Sequence, residues 1–595
     1  MNKELKMKTE KECKILTERS LSAELVVVGG GLAGLLCAVA AARGGVKVII
    51  VQDRPMLGGN ASSEIRMGIC GAHGNGRKET GILEELQLNN VYRNPLMRYT
   101  RWDDEMYSLA IMEKNITLLL NTSVQTVEMN GTSIKSVNAW NGNEYCQYHI
   151  AGKYFADCSG DSILRLSGAE FRRGREKISE FDEDFLMNPD GDEKSMGNSI
   201  LLQLRKGDEH RPFIPPPWAY HFDDEYFAVR TNGKEFNRSS IRPWPENNNF
   251  WWIEYGGNID TVADANEIQF ELKKVAYGVW EYMKNHPDGR CRDYELDWIG
   301  SLPGKRESAR FVGDYILNQN DIMAGGHFDD NVCYGGWTLD DHHPDAFRAV
   351  GHLSTHHVPP SPFGIPYRTM YSKNIDNLFF AGRNISCTHM GLSATRVMGT
   401  CALMGQVIGT AAAIASKHGT TPRGVYENHI RELQAQLLED DVMIPDFPRK
   451  VSDLTLRAKT SLPVLQNSID RDMDETDNGA WLAEGESVLY EWDSPETISN
   501  CRFVFDTVLV YESKRMSKLE GILEPKELPP MLPRKLRIEA CLNGVWQTLL
   551  EEDDIHCRLF RRSWPAVNAT AMRVTILKVW GADSKAHIYT IEYRQ

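Results

Sequence analysis

None of the 12 cysteines in this 595-residue sequence belongs to a C-x-x-C pair. Structural zinc sites and many iron–sulfur sites are built from such pairs, so the spacing argues against both. Scattered thiols are typical of buried cysteines in a reducing compartment rather than of a disulfide framework. The sequence also lacks a C-x4-C redox pair after its first glycine-rich segment and a G-x-S-x-G motif. Disulfide-reductase and serine-hydrolase chemistry are therefore not expected.

An excess of positive charge and a long hydrophobic run are missing as well. Lys and Arg total 67 against 82 Asp and Glu, which gives a net charge of -15 and argues against binding to nucleic acids, tRNA included. The charged N-terminal segment has no apolar stretch typical of a secretion signal. The windows "LLCAVAAA" and "CALMGQVIGTAAAIA" are too short for a membrane span of about 20 residues. We expect a cytoplasmic protein without a membrane span.

A strand–turn–helix–strand pattern lies near the start of the chain, at "AELVVVGGGLAGLLCAVAAARGGVKVIIVQD". Gly29, Gly31 and Gly34 form a G-x-G-x-x-G motif between the first strand and the helix. In this context the glycines allow a tight turn and a close approach of a pyrophosphate to the helix N-terminus. The pattern predicts a Rossmann-type dinucleotide-binding domain.

The second strand of this pattern ends in Gln52 and Asp53, where an acidic residue that binds the adenosine ribose is usual. Gln52 occupies the place of that acid, and strand alternation points Asp53 the other way. An amide can still accept and donate one hydrogen bond each, at a loss of about 1 kcal/mol relative to a charged group. We therefore predict that Gln52 binds the ribose as a neutral substitute.

The G-x-G-x-x-G motif alone does not show which dinucleotide binds, and motifs later in the chain add this information. "QDRPMLGGNASSEIRMGICGAHG", "ADCSGD" and "NLFFAGRN" follow in this order. Together they resemble the FAD-binding domain of the glutathione-reductase-type superfamily, near the fumarate reductase and succinate dehydrogenase branch. More narrowly, with "LPGKRESARFVGDYILNQNDI" and "GGWTLDDHHP", they resemble a bacterial family of FAD-dependent oxidoreductases over roughly residues 22–445.

The resemblance implies a non-covalently bound FAD, with His73 or Cys70 as the alternative of covalent attachment. It also implies that the helix at "HMGLSAT" lies beneath the flavin. The residues expected to bind FAD are Gly29, Gly31, Leu32, Ala33, Gly34, Gln52, Asp53, Arg54, Gly58, Gly59, Asn60, Ser62, Arg66, Asp161, Gly382, Arg383, Gly391, Leu392 and Ser393.

The expected fold class is an FAD-binding Rossmann-type α/β domain with an inserted α+β substrate domain, followed by an all-β sandwich. Alternating polar and apolar residues between turns near the C-terminus predict the sandwich, which resembles galactose-binding modules. The expected segments are an N-terminal arm at 1–21, the FAD-binding domain at 22–165 and 370–445, the substrate domain at 166–369, a linker at 446–460 and the sandwich at 461–595.

Histidines are concentrated in the later half of the substrate segment, and an imidazole suits proton transfer near neutral pH. In "DDHHPD" a carboxylate beside His342 or His343 can fix the imidazole tautomer. His389 lies just before the helix expected beneath the flavin, and Arg306 is a candidate for binding an anionic substrate or for an ion-pair network. These four residues are the catalytic candidates. No metal site is expected, because the paired histidines lack the spacing of a helical zinc motif.

The expected function is oxidation of a small molecule by FAD, with a hydroxyl of a carbohydrate or glycoside as one candidate substrate and hydride transfer to flavin N5. Its partners would be that substrate and a separate electron acceptor that the sequence does not identify; a homo-oligomer is left open. The alternative is a glycan-binding or scaffold protein with a catalytically idle flavin fold.

Overall fold

The computed structural model describes residues 16–207, 209, 211–228, 251–289, 291–510, 512–514, 516 and 525–595. Residues 1–15 of the expected N-terminal arm and residues 229–250 of the expected substrate domain lie outside the described residues. Strand β1 (Thr17–Val28) begins inside the segment expected to be an arm.

A seven-stranded mixed sheet forms the first half of the molecule. Its strand order is β3-β2-β1-β6-β5-β4, and β17 pairs with β6. The further strands of this sheet are β2 (Val48–Val51), β3 (Ile116–Leu119), β4 (Thr122–Asn130), β5 (Ser133–Asn141), β6 (Cys146–Asp157) and β17 (Leu378–Phe380). Because β17 joins a strand more than 200 positions earlier in the sequence, two distant segments of the chain share one sheet.

Side chains on both faces of this sheet are buried. Leu25 and Val27 belong to one apolar core, whereas Val26 and Val28 belong to another on the opposite face. Continuous runs of Val, Ile and Leu are what parallel strands buried on both faces require. The parallel strands with the helix after β1 confirm the Rossmann-type α/β core.

Helices α1 (Leu32–Arg43) and α9 (Met398–His418) pack against each other on one face of the sheet. A Cβ added at Gly405 would lie 2.1 Å from the Ala33 carbonyl oxygen, and one added at Gly409 would lie 2.2 Å from that of Cys37. The backbones therefore touch directly. The other helices are α2 (Ile82–Arg93), α3 (Tyr99–Ile111), α4 (Ile178–Phe181), α5 (Asp224–Ala228), α6 (Ala265–Asn285), α7 (Gln319–Met323), α8 (His389–Thr395), α10 (Pro422–Glu439) and α11 (Asp453–Arg457).

Helix α9 is long and apolar enough to cross a membrane by length and composition, and it alone among the described helices meets that test. The apolar window in it that was expected to be too short for a span is thus part of a longer helix. However, 89% of its most apolar stretch is buried inside the protein, which is the burial of a core helix.

The middle segment has an apolar core of its own around α6, to which Trp252, Trp280 and Phe347 contribute. Its strands form two-stranded sheets. They are β7 (Phe171–Arg172), β8 (Asn198–Ser199), β9 (Leu202–Lys206), β10 (Glu254–Tyr255), β11 (Tyr294–Ile299), β12 (Arg310–Phe311), β13 (Asn331–Gly335), β14 (Leu339–His342), β15 (Ser354–His357) and β16 (Phe363–Pro366).

The C-terminal region is an all-antiparallel sheet with the order β19-β24-β20-β23-β21-β22, and β18 pairs with β20. Bulges interrupt the long strands β20 and β23, and their apolar faces surround a separate core. Strand β18 and α11 lie within the expected linker. The strands are β18 (Lys459–Thr460), β19 (Ala480–Leu482), β20 (Ser487–Phe505), β21 (Pro533–Leu542), β22 (Val545–Glu552), β23 (Leu559–Val579) and β24 (Ala586–Arg594). The expected domain boundaries themselves stay predictions.

Candidate active site

A cavity of about 810 Å³ extends from the glycine-rich loop after β1 to the middle segment. Most residues expected to bind FAD line it, and so do the catalytic candidates Arg306 and His342. The cofactor-binding candidates on its wall are Gly29, Gly31, Leu32, Ala33, Gln52, Asp53, Arg54, Gly58, Gly59, Asn60, Asp161, Gly382 and Arg383. Residues far apart in the sequence thus converge on one cavity.

The loop between β1 and α1 needs its glycines for steric reasons. Gly29 has a φ of +99°, and a Cβ there would lie 2.5 Å from the Ser159 Cα. A Cβ at Gly34 would lie 1.8 Å from the Gly29 carbonyl oxygen, so only glycine lets the first turn of α1 pack on the loop. No acidic residue occupies that first turn, and its N–H groups have no partner within the helix. The loop therefore offers a site for phosphate groups.

Gln52 is buried, and its amide already has two protein partners. Its Oε1 accepts from the Gly30 N–H at 2.7 Å, and its Nε2 donates to the Met56 carbonyl at 3.0 Å. One acceptor position and one donor hydrogen remain for a ligand. Asp53 is exposed and lies near Arg54. The amide at position 52 thus also holds the glycine loop in place, a role that the sequence alone did not indicate.

Asp161 is the centre of an ion-pair network beside the glycine loop. Its two oxygens accept from Lys305 Nζ at 2.5 Å and from Arg383 Nη2 at 2.6 Å. Burial alone would raise the pKa of Asp161, but the charges of Arg383 and Lys305 outweigh burial and lower it. The Arg383 side chain is thus held by a carboxylate at the cavity wall.

At the other end of the cavity, His342 lies between two carboxylates. Its Nδ1 is 2.6 Å from Glu254 Oε1, and its Nε2 is 3.2 Å from Asp340 Oδ2. Burial disfavours the imidazolium, but the charges of Asp340 and Glu254 outweigh burial and raise the pKa of His342. Because the contact with Glu254 is the shorter one, Glu254 orients the His342 ring, and Nε2 lies toward Asp340.

Arginines balance the charges of these carboxylates. Arg306 lies 2.6 Å from Glu254, and Arg396 lies 3.2 Å from Asp340. His356 approaches the other Asp340 oxygen at 3.3 Å. Sequence reasoning missed Glu254 and Arg396, because both come from segments distant from "DDHHPD" and no local motif marks them.

Indole rings also line this end of the cavity. Trp251 packs edge-on against His342 with ring centroids 5.1 Å apart, and Trp337 lies on the wall nearby. Trp337 stacks on His73 at 4.4 Å, and the wall includes Cys70 but not His73. Of the two residues named for covalent attachment, Cys70 lies on the cavity wall and His73 stacks on a residue of that wall.

His389, a catalytic candidate, is buried away from the cavity. Its Nδ1 lies 3.0 Å from Glu307 and its Nε2 lies 2.8 Å from Asp341. Burial opposes the charged ring, but the charges of Glu307 and Asp341 outweigh burial and raise the pKa of His389 to about 10. Both ring nitrogens are therefore occupied donors, and His389 is a structural cation instead of a proton acceptor for substrate.

The helix at the cavity differs from the expected one. Gly391, Leu392 and Ser393 are buried inside α8, where the Gly391 N–H donates to the Thr388 hydroxyl. Instead Val397, Met398 and Cys401, at the N-terminus of α9, line the cavity. Helix α9 thus starts at the cavity wall and α8 packs behind it, and the expected position of α8 beneath the flavin stays a prediction.

Three further candidates also lie off the cavity wall. His343 is partly exposed and its Nδ1 accepts from the Asp345 N–H. Ser62 is buried and donates to the Gly59 carbonyl, so it shapes the loop from behind. The Arg66 guanidinium lies 4.4 Å above the Trp298 ring and contacts Gln203. Ser62 and Arg66 support the walls of the site, whereas the His343 ring makes a local hydrogen bond, which it accepts from the Asp345 N–H.

The cavity fits a dinucleotide whose phosphates lie on the glycine loop. Gly31 and Gly59 face each other, with a Cβ added at Gly31 lying 3.9 Å from the Gly59 Cα, so two bare backbones form a cradle. At the far end, the buried Arg396 Nε has no hydrogen-bond partner among the described residues. A phosphate cradle and a proton-handling cluster in one cavity define a nucleotide-dependent enzyme of the Rossmann class.

Comparison with protein families identifies this class more closely. Residues 24–437 match the model of the FAD dependent oxidoreductase family. The match covers more than half of the chain, which belongs to that family, and FAD is its cofactor. A comparison with curated proteins found no match.

Solved structures show distant likenesses. A geranylgeranyl bacteriochlorophyll reductase-like protein from Thermoplasma acidophilum is 12% identical, with 71% of this chain and 86% of that chain covered and a TM-score of 0.32. An anhydrotetracycline hydroxylase from Streptomyces rimosus is 12% identical, with 71% and 70% covered and a TM-score of 0.30. A family 32 carbohydrate-binding module from Streptococcus pneumoniae is 12% identical, with 25% and 91% covered and a TM-score of 0.17. At such scores these likenesses carry no argument about the reaction.

Proposed function

We propose that this FAD-dependent oxidoreductase oxidises a hydroxyl group of a small polyhydroxylated molecule, a carbohydrate or a glycoside. Bound FAD would accept the carbon-bound hydrogen as a hydride, and His342 would accept the hydroxyl proton. One observation carries the proposal: His342, oriented by Glu254, lines the same cavity as the phosphate-binding glycine loop. Bound FAD supplies the two-electron acceptor, and the protein supplies orientation and proton transfer.

The contact between Glu254 and His342 supports the proton-transfer role. A carboxylate at Nδ1 keeps that nitrogen protonated and leaves Nε2 as the basic position of the neutral ring. Nε2 lies toward Asp340, whose second oxygen faces His356. Burial would raise the pKa of Asp340, but the charges of His342 and Arg396 hold it well below its usual value, so this carboxylate stabilises the His342 ring after it has accepted the proton.

The pairing of charges in the cavity supports a neutral substrate. Arg306 has Glu254 as its partner, Arg396 has Asp340, and Lys305 and Arg383 share Asp161. A carboxylate substrate would have to compete with these internal partners. Ser199, Asn266 and Gln269 on the wall offer uncharged hydrogen-bonding groups for hydroxyls, and Trp251 and Trp337 offer apolar ring faces.

Beyond the reaction, the proposal covers the mode of FAD binding, the C-terminal region and the location of the protein. We propose that FAD is bound non-covalently, so that denaturation releases it, and that a separate electron acceptor reoxidises it. The C-terminal region is proposed to be galactose-binding-like, and the protein to be cytoplasmic. The alternative of an idle flavin fold is not favoured, because the family match over residues 24–437 covers nearly all of the expected FAD-binding domain.

Anaerobic reduction of the bound flavin by polyhydroxylated compounds tests the function. We expect bleaching of the visible flavin absorption, and a loss of rate by about 10²–10⁴-fold in His342→Asn, the usual contribution of a general base. His343→Asn, one residue away and off the cavity wall, is the matched control and should bleach at the wild-type rate. Bleaching of His342→Asn at the wild-type rate would contradict the assignment.

The pH profile of the same reaction separates proton transfer from positioning. Because the pKa of His342 is raised, the rate should increase with pH through a midpoint above about 6.5, the ordinary value for histidine. Glu254→Gln removes one of the two charges that raise this pKa, so its midpoint should move to lower pH. An unchanged midpoint in Glu254→Gln would mean that another group accepts the proton.

A further inference from the structure

Two histidines and a glutamate meet on the surface where α9 ends. His418 is the last residue of α9, and His429 and Glu432 lie one turn apart on α10. One ligand atom from each of the three residues lies within 4.8 Å of the other two. Their side chains are partly buried, with 30%, 23% and 34% of their surface exposed. None of the three lines the FAD cavity.

A single carboxylate oxygen faces both imidazole rings. Glu432 Oε2 lies 2.8 Å from His418 Nε2 and 3.5 Å from His429 Nδ1. The rings stack with centroids 3.9 Å apart and an angle of 15° between their planes. An ordinary ion pair with Glu432 needs only one of these rings.

These separations fit a zinc site. Bonds of about 2.0–2.2 Å to nitrogen and oxygen place two ligands of a tetrahedral zinc ion roughly 3.3–3.5 Å apart. The observed 2.8 and 3.5 Å lie around this value. Because imidazole lone pairs lie in the ring plane, one of the two stacked rings would turn out of the stack when both nitrogens bind one ion.

The surroundings favour a cation at this position. Lys417 donates to the other oxygen of Glu432, Oε1, at 2.8 Å, which leaves Oε2 directed at the histidines. The site also lies at the C-terminus of α9, the negative end of its dipole.

We propose that His418, His429 and Glu432 bind a Zn²⁺ ion through Nε2, Nδ1 and Oε2, with water at the fourth position. Sequence spacing does not indicate this site, because His418 and His429 lie on different helices. The ion would join the end of α9 to α10, and it is separate from the FAD site and from the proposed reaction.

The proposal is tested by treating the full-length, FAD-loaded protein with a chelator and then titrating it with zinc. At about pH 7.5, where an ordinary imidazole is neutral, one Zn²⁺ per chain should bind saturably and raise Tm. His418→Ala and His429→Ala should each weaken Kd by about 100-fold or more, since even indirect metal partners are worth about 10–100-fold. Added Co²⁺ should give the visible absorption of a tetrahedral site in the unmodified protein only.

His221→Ala is the matched control, because His221 contacts a single carboxylate, Glu281, at 2.7 Å and is also a surface residue. It should leave zinc binding unchanged. Retained flavin absorption and an unchanged Tm in the absence of zinc show that each variant is folded. Absence of saturable binding, or equal affinity in the three histidine variants, would overturn the proposal.

Discussion

At the scale of single residues, the role of a buried histidine depends on what its nitrogens face. His342 and His389 each contact two carboxylates and both have raised pKa values. His342 lines the cavity, whereas His389 is enclosed by Glu307 and Asp341 without access to it. The same pair of contacts therefore supports proton transfer at one position and stability at the other.

His389 should make the stability of the protein depend on pH. Its folded-state pKa of about 10 exceeds the ordinary value of about 6.5, so its contribution is complete below about pH 6.5 and is lost as the pH rises through about 10. His389→Gln leaves two buried carboxylates with one partner fewer, at a cost of about 3–5 kcal/mol. Urea unfolding at several pH values should show that the difference in free energy of unfolding between wild type and His389→Gln decreases toward pH 10.

The exposed His352 provides the comparison for this measurement. His352→Gln should follow the wild-type stability at every pH, because its ring is in solvent. A gap for His389→Gln that stays constant from pH 6 to 10 would show that the ring is not protonated in the folded protein.

At this scale the motifs indicate residues that the structure brings to one cavity wall, but they do not indicate partners across the fold. The glycines and Gln52 were predicted because their spacing follows from one strand–turn–helix unit. The contact between Glu254 and His342 joins residues 88 positions apart, and nothing local to either indicates it. The predicted ribose contact of Gln52 stays a prediction.

At the scale of elements, the sequence predicted the kind of helix at the cavity but not which helix. Thr388 caps α8, so "HMGLSAT" carries a genuine helix start. The chain then turns at Arg396 and Val397 and begins a second helix, α9, at the cavity wall. Helix propensity and capping are local properties, whereas the direction of a helix end is set by packing on the sheet.

The backbone contact between α1 and α9 predicts that a Gly→Ala substitution in α9 lowers the free energy of unfolding. In an exposed helix Gly→Ala stabilises by about 1 kcal/mol. In Gly409→Ala the new Cβ would lie 2.2 Å from the Cys37 carbonyl oxygen and force the helices apart. We expect destabilisation by about 1–3 kcal/mol, as for overpacked cores, and weaker retention of FAD. A higher Tm for Gly409→Ala would refute the close contact.

At the scale of the whole molecule, buried charges join the C-terminal region to the FAD-binding part. Arg558 contacts Asp441 at 2.8 Å with both side chains almost fully buried. Glu84 on α2 accepts from Thr507 at 2.6 Å and contacts Lys514. The sequence predicted a separate all-β region, but alternating polarity does not indicate which of its charged residues pair with another part of the chain.

Neighbouring ion pairs at this interface allow a controlled test. Asp441→Asn leaves Arg558 buried without its charged partner and should cost about 3–5 kcal/mol. Asp441 has a φ of +62°, a conformation that asparagine tolerates, so the substitution adds no backbone strain. Asp440→Asn breaks the more exposed Arg561 pair and should cost about 0–1 kcal/mol. Equal losses in urea unfolding would show that the interface is hydrated.

The direct contact of α1 with α9 has a consequence for laboratory evolution of this enzyme. At Gly405 and Gly409, saturation libraries should return almost only the starting residue among active clones, because any side chain meets backbone. Asn266 and Gln269 lie on α6, against a core that is separate from these two helices. New substrate preferences should therefore be selectable on that wall of the cavity while the cofactor half remains unchanged.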